Sequence, residues 1–509
     1  MYKNEGKLAG LEPAKVFKHF EKICSIPHGS GNTDAISSYL EDYAREKGLD
    51  CIRDEAGNII IFKEKSAGAS SDKPVIIQGH MDMVCVSDEN TSIDFENEPI
   101  SLRVSDGFVS AEGTSLGGDD GIAVARALAL LEDDDIVHPP LEILITVDEE
   151  VGMLGAAALD TSPLKGNMLL NVDSEEEGYI LVSCAGGATV TASLKTQPLI
   201  TKADTRYLPI SIEVCGLTGG HSGVEIDKGR ANACMLLGRI LKALDSLISS
   251  EGYSLYIANV SGGGKDNAIP SSAAADICVA LKKDLSSQDE KALEKLIDQK
   301  VSELKSVFRN EYHVTEPSMD VKLTFKDTGD QEIKAMSEQT TKDVIKMLRL
   351  LPNGIMKMSM DIDSLVQTSL NLGILKTTET EVNASFSVRS SVASEKQELI
   401  DRICLLMELL GGSVSVSGQY PAWEYKKDSA LRDICSRAFN SIYKKEPVWQ
   451  AIHAGVECGI FASKIHDFDA VSFGPNIYDI HSPSERLQIE SVERSYKFLK
   501  ETLRLLAGN

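Results

Sequence analysis

Residues 75–82 read Val75-Ile76-Ile77-Gln78-Gly79-His80-Met81-Asp82, an apolar run that ends in a histidine and an aspartate. In a strand, residues i and i+2 lie on the same face, so His80 and Asp82 share a face. His80 can then offer its imidazole to a divalent cation while the carboxylate of Asp82 orients the ring from behind. This short segment therefore predicts both a metal ligand and its support.

Carboxylates follow other apolar or glycine-rich segments in the same way. Asp119 follows a glycine turn, the pair Glu149 and Glu150 ends one apolar run, and Asp173 ends another. Open α/β sheets bind ligands at the carboxyl ends of their strands, so we expect these side chains to converge. Together with two histidines, they exceed the three protein ligands of a typical mononuclear catalytic zinc. They are enough to hold two metals about 3.5–4 Å apart.

Length and composition set the outer bounds. The chain has 509 residues, 42% of them hydrophobic, and exceeds a single hydrophobic core, so two or more domains are expected. Its formal net charge of -25 argues against a nucleic acid or an anionic membrane as partner, because either would be repelled. No secretory leader and no run of 18 apolar residues is visible, which predicts a cytoplasmic protein. The ten cysteines include no C-x-x-C pair, which favours reduced thiols.

The pattern of helices and strands changes twice along the chain. Alternating helices and strands at the start predict an α/β fold with a mainly parallel sheet flanked by helices. Amphipathic strands beside long charged helices then indicate an α+β module, and alternation returns before His481. For His481 to join the other ligands, the last segment must fold back onto the first. We therefore expect a discontinuous catalytic domain of residues 1–186 and 395–509, with an inserted domain of residues 187–394.

Several motifs resemble a known family. They are Gly-His-Met-Asp at 79–82, Gly-Gly-Asp-Asp-Gly at 117–121, Asp-Glu-Glu-Val-Gly at 148–152, Asn-Val-Asp-Ser at 171–174 and Ile-His-Ser-Pro-Ser-Glu-Arg at 480–486. The chain resembles, over nearly its whole length, the di-zinc metallopeptidases that include aminoacylase, carnosinase and peptidase T. Within that family, the large inserted module and the segment 454–459, Ala-Gly-Val-Glu-Cys-Gly, are most similar to the aminoacyl-histidine, or Xaa-His, dipeptidases.

The resemblance implies a role for each candidate residue of the catalytic domain. Two divalent cations would be bound, one by His80, Asp119 and Asp173 and the other by Asp119, Glu150 and His481, with Asp119 bridging them. Zinc is the expected metal, and cobalt or manganese would suit the same ligands. Asp82 would orient His80, and Glu149 would be the general base for the bridging water. Adjacent strand residues point in opposite directions, so Glu150 can bind a metal while Glu149 stays free to take a proton.

The same resemblance implies roles for three residues of the inserted domain and for His453 of the catalytic domain. His221, in Gly219-Gly220-His221-Ser222-Gly223, matches a lid motif whose imidazole stabilises the oxyanion in the partner subunit's site, which implies a homodimer joined through this domain. Asn267 and Arg389 match positions that hold the peptide backbone and the terminal carboxylate, and His453 matches a position in the substrate pocket. A guanidinium suits a carboxylate because it can donate two parallel hydrogen bonds.

Each of these candidates also has a structural alternative. His221 could be a surface residue of a glycine-rich turn, and Asn267 a turn former. Arg389 could be a solvated strand residue or a member of a structural ion pair. Glu149 could instead stabilise the first turn of a helix that follows Gly152.

Taken together, the motifs predict a cytoplasmic zinc dipeptidase that hydrolyses Xaa-His dipeptides and other short peptides with a free carboxylate. A tripeptidase or an N-acyl amino acid deacylase would use the same metals. A homologue that binds metal without catalysis is a third alternative. The presence of Glu149 speaks against it, since that is the residue an inactive relative could most readily lose.

Overall fold

The computed structural model describes residues 4–200, 205–326 and 334–508, and the chain divides into two compact units. Unit 1 comprises Met1–Cys184, Trp423–Ala451 and Val456–Asn509, and unit 2 comprises Ala185–Ala422 and Ile452–Gly455. Unit 2 is thus inserted between parts of unit 1, as the sequence predicts. Within the described ranges, every helix is too short or too polar to cross a membrane.

The helices and strands, in chain order, fall into three stretches. The first part of unit 1 contains α1 (Ala14–Ile23), α2 (Asp34–Glu46), β1 (Asp50–Arg53), β2 (Ile59–Lys63), β3 (Val75–His80), β4 (Leu102–Ser105), β5 (Phe108–Ala111), α3 (Gly118–Leu131), β6 (Leu141–Thr146), α4 (Leu154–Ala158), β7 (Met168–Asn171) and β8 (Tyr179–Cys184). Unit 2 contains β9 (Gly186–Lys195), β10 (Thr205–Cys215), β11 (Gly220–His221), α5 (Ala233–Ser250), β12 (Ser254–Gly262), β13 (Ala268–Ile269), β14 (Ala273–Lys282), α6 (Ser287–Glu311), β15 (Asp320–Phe325), α7 (Glu338–Leu350), β16 (Gly354–Met358), β17 (Val366–Thr377), β18 (Glu381–Ser390), α8 (Ala393–Leu409) and β19 (Ser413–Tyr420). The last stretch contains α9 (Ala430–Tyr443), β20 (Val448–Ile452), α10 (Glu457–Lys464), β21 (Asp469–Ser472), β22 (Ile477–Tyr478), β23 (Arg486–Gln488) and α11 (Ile489–Ala507).

The main sheet of unit 1 has eight strands in the order β1-β2-β6-β3-β7-β21-β8-β20. Its four central strands, β6, β3, β7 and β21, are parallel, whereas β1, β2 and β8 pair with their neighbours in antiparallel fashion. Every residue of β3 and β6 is buried, as expected for central strands of a parallel sheet. The predicted α/β class is confirmed, and the flanking strands make the sheet mixed.

Parallel pairing brings the predicted ligands to one edge of this sheet. β3 pairs with both β6 and β7, and Thr146 lies beside His80 in the register. The loops that follow these strands therefore start at the same edge. Helix α3 approaches β3 closely at Gly79, where a Cβ atom would lie 2.7 Å from the Cβ of Ala123. The glycine before His80 thus lets the helix that follows Asp119 pack directly on the strand.

A smaller sheet in unit 1 carries the last predicted ligand. Its order is β22-β23-β5-β4, and all of its pairs are antiparallel. The hairpin of β22 and β23 holds His481 in its loop, and Leu487 of β23 pairs with Val109 of β5. The C-terminal segment therefore folds onto the N-terminal one, as the sequence predicts.

Unit 2 is built around a nine-stranded antiparallel sheet with the main order β15-β10-β14-β12-β17-β18-β9-β19, and β16 pairs with β17. The sheet consists of two β-α-β-β-α-β modules. The first is β10-α5-β12-β14-α6-β15 and the second is β9-α7-β17-β18-α8-β19, with the first inserted into the second. In each module the first strand lies between the third and the fourth, and β12 joins β17 to link the two.

The end of unit 2 differs from the predicted boundary. The sequence places the end of the inserted domain at residue 394, whereas unit 2 continues to Ala422 and includes Ile452–Gly455. β19 pairs with β9, with Val416 opposite Val190, and α8 buries residues such as Ile403 in the core of unit 2. A helix followed by a strand is typical of either domain, so the pattern in this segment does not mark the boundary.

Candidate functional site

The predicted metal ligands of unit 1 lie together. The Nε2 atom of His80 lies 3.3 Å from Oδ1 of Asp119 and 3.5 Å from Oδ1 of Asp173. Oδ2 of Asp119 lies 3.2 Å from Nε2 of His481, which is 2.8 Å from Oε1 of Glu150. Asp119 therefore faces one histidine with each of its two oxygens. We call these five residues the candidate metal centre.

The separations in this centre fit cations. Two ligands of a tetrahedral zinc ion, each about 2.0–2.1 Å from the metal, lie roughly 3.3 Å apart. Three groups of potential ligand atoms lie within 4.8 Å of one another: His80, Asp119 and Asp173; Asp119, Glu150 and His481; and His80, Glu149 and Glu150. The first two groups share Asp119 and match the predicted ligand sets. Imidazole and carboxylate donors suit zinc, cobalt and manganese alike.

Negative charge dominates the candidate metal centre. Burial opposes protonation of His80, but Asp173 and Asp119 outweigh it and hold the pKa of His80 well above its ordinary value. Hydrogen bonds to Asp119 and Glu150 raise the pKa of His481 to about 10. Burial also raises the pKa of Asp173, a shift that His80 opposes and Asp119 increases. Divalent cations would relieve the same excess of carboxylates that here attracts protons to the imidazoles.

Asp82 supports the site through more contacts than the sequence predicts. Its Oδ1 atom lies 3.4 Å from Nδ1 of His80, and its main-chain oxygen lies closer, 3.0 Å from the same nitrogen. The carboxylate also accepts hydrogen bonds from the main-chain N–H groups of Glu149 (3.0 Å) and Glu150 (3.3 Å). A further bond comes from the hydroxyl of Ser30 at 2.8 Å. Asp82 thus fixes the turn that carries the two glutamates as well as the His80 ring.

Glu149 lies at the edge of the candidate metal centre. Burial raises the pKa of Glu149 above its ordinary value, His80 opposes the shift, and Asp173 adds to it. Helix α4 begins at Leu154, and its first turn holds no acidic residue. Glu149 therefore does not stabilise the first turn of this helix, which was its structural alternative. A half-buried carboxylate with a raised pKa suits proton transfer.

A buried polar network under the ligands was missed at the sequence level. Gln78 and Asn171 each lie two residues before a predicted ligand, and the Asn171 amide donates to Oε1 of Gln78 at 2.6 Å. Glu457 accepts hydrogen bonds from Gln78 and from the Thr146 hydroxyl, the latter at 2.8 Å. Burial raises the pKa of Glu457 to about 8. Polar residues at i−2 from His80 and Asp173, inside otherwise apolar strands, were the signal that could have revealed the network.

Unit 2 contains a second group of candidates, His221, Arg389 and His453, which we call the Arg389 pocket. Arg389 is the last residue but one of β18 and is only 7% exposed. Its Nη1 donates to the Tyr420 hydroxyl at 2.9 Å, and its Nε has no hydrogen-bond partner. Among the described residues no carboxylate pairs with Arg389, so both alternatives, a solvated residue and a structural ion pair, disagree with the structure.

His453 is a neutral member of this pocket. Its Nε2 lies 2.7 Å from the Ser369 hydroxyl oxygen, and its buried Nδ1 has no hydrogen-bond partner. Burial, followed by the nearby Arg389 and His221, lowers the pKa of His453 to about 4. The ring is therefore uncharged at neutral pH and available for one further hydrogen bond.

His221 is held in one orientation. Its Nδ1 accepts the main-chain N–H groups of Gly223 and Val224, both at 3.2 Å. Burial and Arg389 lower the pKa of His221. Because Nδ1 is an acceptor, the neutral ring carries its proton on Nε2, which becomes the donor. Because its imidazole is half-buried and fixed by hydrogen bonds, His221 is not simply a surface residue of a glycine-rich turn.

Asn267 lies beside the His221 turn. Its main-chain oxygen accepts a hydrogen bond from the N–H of Ser222 at 2.8 Å. The next residue, Ala268 of β13, pairs with His221 of β11. The Asn267 side chain is exposed in a turn, so its turn-forming alternative stays open. The structure thus brings Asn267 and the Arg389 pocket into one region of unit 2. His453 belongs to this unit, whereas the sequence places it in the catalytic domain.

Comparisons with known proteins show the family to which the chain belongs. A profile of peptidase family M20/M25/M40 matches residues 76–505. The cytosol non-specific dipeptidase of Escherichia coli (strain K12) is 35% identical over 498 residues, which cover 98% of this chain and 99% of that protein.

Solved structures give the same result. The aminoacylhistidine dipeptidase from Vibrio alginolyticus has a TM-score of 0.88 and 33% identity, covering 99% of both chains. The aminopeptidase PepT from Bacillus cereus ATCC 10987 shares the fold, with a TM-score of 0.55 and 14% identity over 98% of this chain and 99% of that one. The chain therefore belongs to peptidase family M20/M25/M40 and is an enzyme that hydrolyses peptides.

Proposed function

We propose that this enzyme is a dipeptidase that depends on two divalent cations, with zinc as the first candidate and cobalt or manganese as alternatives. One observation carries the proposal. Asp119 faces His80 with one oxygen and His481 with the other, and a further carboxylate lies beside each histidine. Two sets of ligands that share one aspartate are the arrangement required to hold a pair of metals.

The roles proposed for the acidic residues follow from their positions. When bound, the cations would lower the pKa of a water molecule and polarise the scissile carbonyl. A carboxylate oxygen of Glu149 would accept the proton of that water and deliver it to the leaving amine. Glu149 suits this role because burial raises its pKa and because Asp82 holds its main chain in place.

The Arg389 pocket is proposed to recognise the substrate. A buried guanidinium without an acidic partner needs an anion, and the terminal carboxylate of a peptide would supply it. Neutral His221 would donate its Nε2–H to the oxygen that becomes negative in the transition state. His453 and Asn267 would contact the rest of the substrate. Because Arg389 lowers the pKa of His221 in the same chain, we propose that both act on the same substrate molecule.

The substrate class is proposed from the pocket and the relatives together. A single buried carboxylate-binding group favours short peptides with a free C-terminus, and two relatives are dipeptidases by name. We therefore propose dipeptides, those with C-terminal histidine included, and a cytoplasmic location like that in the name of the E. coli relative. A homodimer joined through unit 2 remains a prediction of the family resemblance, and sedimentation of the purified protein tests it.

A substrate panel on zinc-loaded protein tests this proposal. It should contain free dipeptides with and without C-terminal histidine, the matching dipeptide amides, tripeptides and N-acyl amino acids. We expect free dipeptides to be hydrolysed fastest and their amides slowly. Faster hydrolysis of tripeptides or N-acyl amino acids would support the other hydrolase functions, and no hydrolysis at all would support a metal-binding protein without catalysis.

A further inference from the structure

Glu485 connects the two chain segments that carry Asp119 and His481. It is only 2% exposed, and both of its carboxylate oxygens accept hydrogen bonds from consecutive main-chain amides. The donors are the N–H groups of Leu116 (2.8 Å), Gly117 (3.2 Å), Gly118 (2.8 Å) and Asp119 (3.4 Å). One side chain therefore holds the whole turn that ends in the shared aspartate.

The turn itself is shaped to receive an anion. Gly117 has φ 68°, a left-handed conformation that glycine adopts without strain. Consecutive N–H groups in such a turn point to one side and form a concave anion site. Buried amides without an acceptor cost free energy, so the turn depends on the carboxylate of Glu485.

The other side of this contact is the loop of His481. His481 has φ 57°, which is costly for a residue other than glycine. Its imidazole is exposed and has Asp119 and Glu150 as its hydrogen-bond partners. The base of the loop is fixed by an ion pair of Arg486 with Asp479 and by Glu485. The position of the imidazole therefore depends on how the loop base is held.

We propose that Glu485 is a positioning residue that sets the distance between Asp119 and His481 and thereby the affinity for the cation these two residues share with Glu150. The inference rests on the two-cation site proposed above. Glutamine at this position would direct an amide N–H₂ group toward main-chain N–H groups, which removes the acceptor for about half of them. His80 and Asp173 lie outside this contact, so the first cation should be affected less.

A matched control is available in the same unit. Glu142 is also 2% exposed and accepts hydrogen bonds from two main-chain amides, Lys165 at 2.8 Å and Gly166 at 3.0 Å. It lies near the start of β6, at the opposite end of that strand from the ligands. Glu142→Gln therefore reproduces the loss of a buried, amide-bound carboxylate without touching the candidate metal centre.

Equilibrium dialysis of metal-free protein against Zn²⁺, with metal measured by mass spectrometry, tests the proposal. We expect wild type and Glu142→Gln to bind two ions per chain. Glu485→Gln should bind one ion at least about 10-fold more weakly, as for other residues that support metal ligands, and the other ion with a smaller loss of affinity. In a His481→Ala background, Glu485→Gln should weaken the remaining ion only by this smaller factor.

Different results would contradict the role of Glu485 and the two-cation site. Two ions at wild-type affinity in Glu485→Gln, or equal weakening of both ions, would overturn the role of Glu485 alone. A wild type that binds fewer than two ions would overturn the proposed function as well. Circular dichroism checks folding, and if Glu485→Gln does not fold, Gly118→Ala replaces it. The added Cβ would lie 3.2 Å from Oε1 of Glu485, so it should weaken the same ion by a smaller factor, and unchanged binding would overturn the proposal.

Discussion

The candidate metal centre of unit 1 and the Arg389 pocket of unit 2 are built from opposite charges. In the metal centre, burial and neighbouring carboxylates raise the pKa of Asp173. In the Arg389 pocket, burial and neighbouring cationic groups lower the pKa of His453 to about 4. Both shifts have the same physical cause, which is burial among like charges. We therefore propose that each region is completed by a ligand of the opposite sign, cations in unit 1 and a carboxylate in unit 2.

The largest expected effect comes from Glu149, which we propose as the general base and not as a metal ligand. Glu149→Gln should lower kcat by roughly 10²–10⁴-fold, the usual contribution of a general base, with metal content unchanged. Steady-state kinetics and metal analysis on the same sample check this. Glu142→Gln, the same change in a buried carboxylate of β6, serves as the control. Unchanged turnover would exclude Glu149 as the base, and loss of metal would show that it is a ligand instead.

His221 should have the next largest effect because it is the neutral donor of the Arg389 pocket. We expect His221→Ala to lower kcat by roughly 10²–10³-fold, the usual result of removing an oxyanion donor, with little change in KM. A rise in KM at constant kcat would contradict that role and would indicate ground-state binding.

Mixed oligomers extend the test of His221. If His221 acts in the partner's site, as the family resemblance implies, co-expressed Glu149→Gln and His221→Ala chains should recover activity. If it acts within its own chain, no activity returns. His221→Ala and Arg389→Met chains should not complement one another under either arrangement, because both residues act on the same substrate molecule.

The positive charge of Arg389 is expected to contribute to binding of the substrate carboxylate. Arg389→Met should lower kcat/KM for free dipeptides by about 10- to 100-fold, since hydrogen bonds to charged groups contribute roughly 1.5–3 kcal/mol. For the matching dipeptide amide, Arg389→Met and wild type should have the same kcat/KM. Arg239→Met, which removes an arginine that is ion-paired with Glu311, is the control. An equal loss for the free peptide and the amide would show that Arg389 does not recognise the carboxylate.

The smallest expected effect is on stability and concerns His453. Its pKa of about 4 lies below the ordinary value of 6.5, because it is buried beside Arg389 and His221 with Ser369 as its hydrogen-bond partner. The unfolded chain therefore takes up a proton that the folded chain does not, and stability is lost as pH falls from 6.5 toward 4. Between pH 7 and pH 5 wild type should lose roughly 2 kcal/mol more than His453→Gln. Urea unfolding measures this, and equal losses in the two proteins would contradict a neutral, buried His453.

Much of the candidate metal centre could be predicted from the sequence because its geometry is local. The position of a ligand after an apolar or glycine-rich segment indicates His80, Asp119, Glu150 and Asp173 as a group. The strand periodicity used for Asp82 and Glu149 does not apply, because β3 ends at His80 and β6 ends at Thr146. The α/β class and the return of the C-terminal segment with His481 follow from the same patterns, and the family inferred from the motifs is confirmed.

The supporting residues could not be predicted because their contacts are remote in sequence. Ser30 bonds to Asp82 across 52 residues, and Glu485 bonds to Leu116 across 369. Burial of Arg389 without an acidic partner is likewise a property of the folded unit. The end of unit 2 at Ala422 depends on the pairing of β19 with β9, which no local pattern reveals.

The dependence of catalysis on two cations is tested by measuring metal content and dipeptide hydrolysis in one sample, before chelation, after chelation and after zinc is returned. We expect two ions per chain, loss of hydrolysis when they are removed, and recovery as both return. Hydrolysis at an unchanged rate by protein from which all metal has been removed would contradict this dependence.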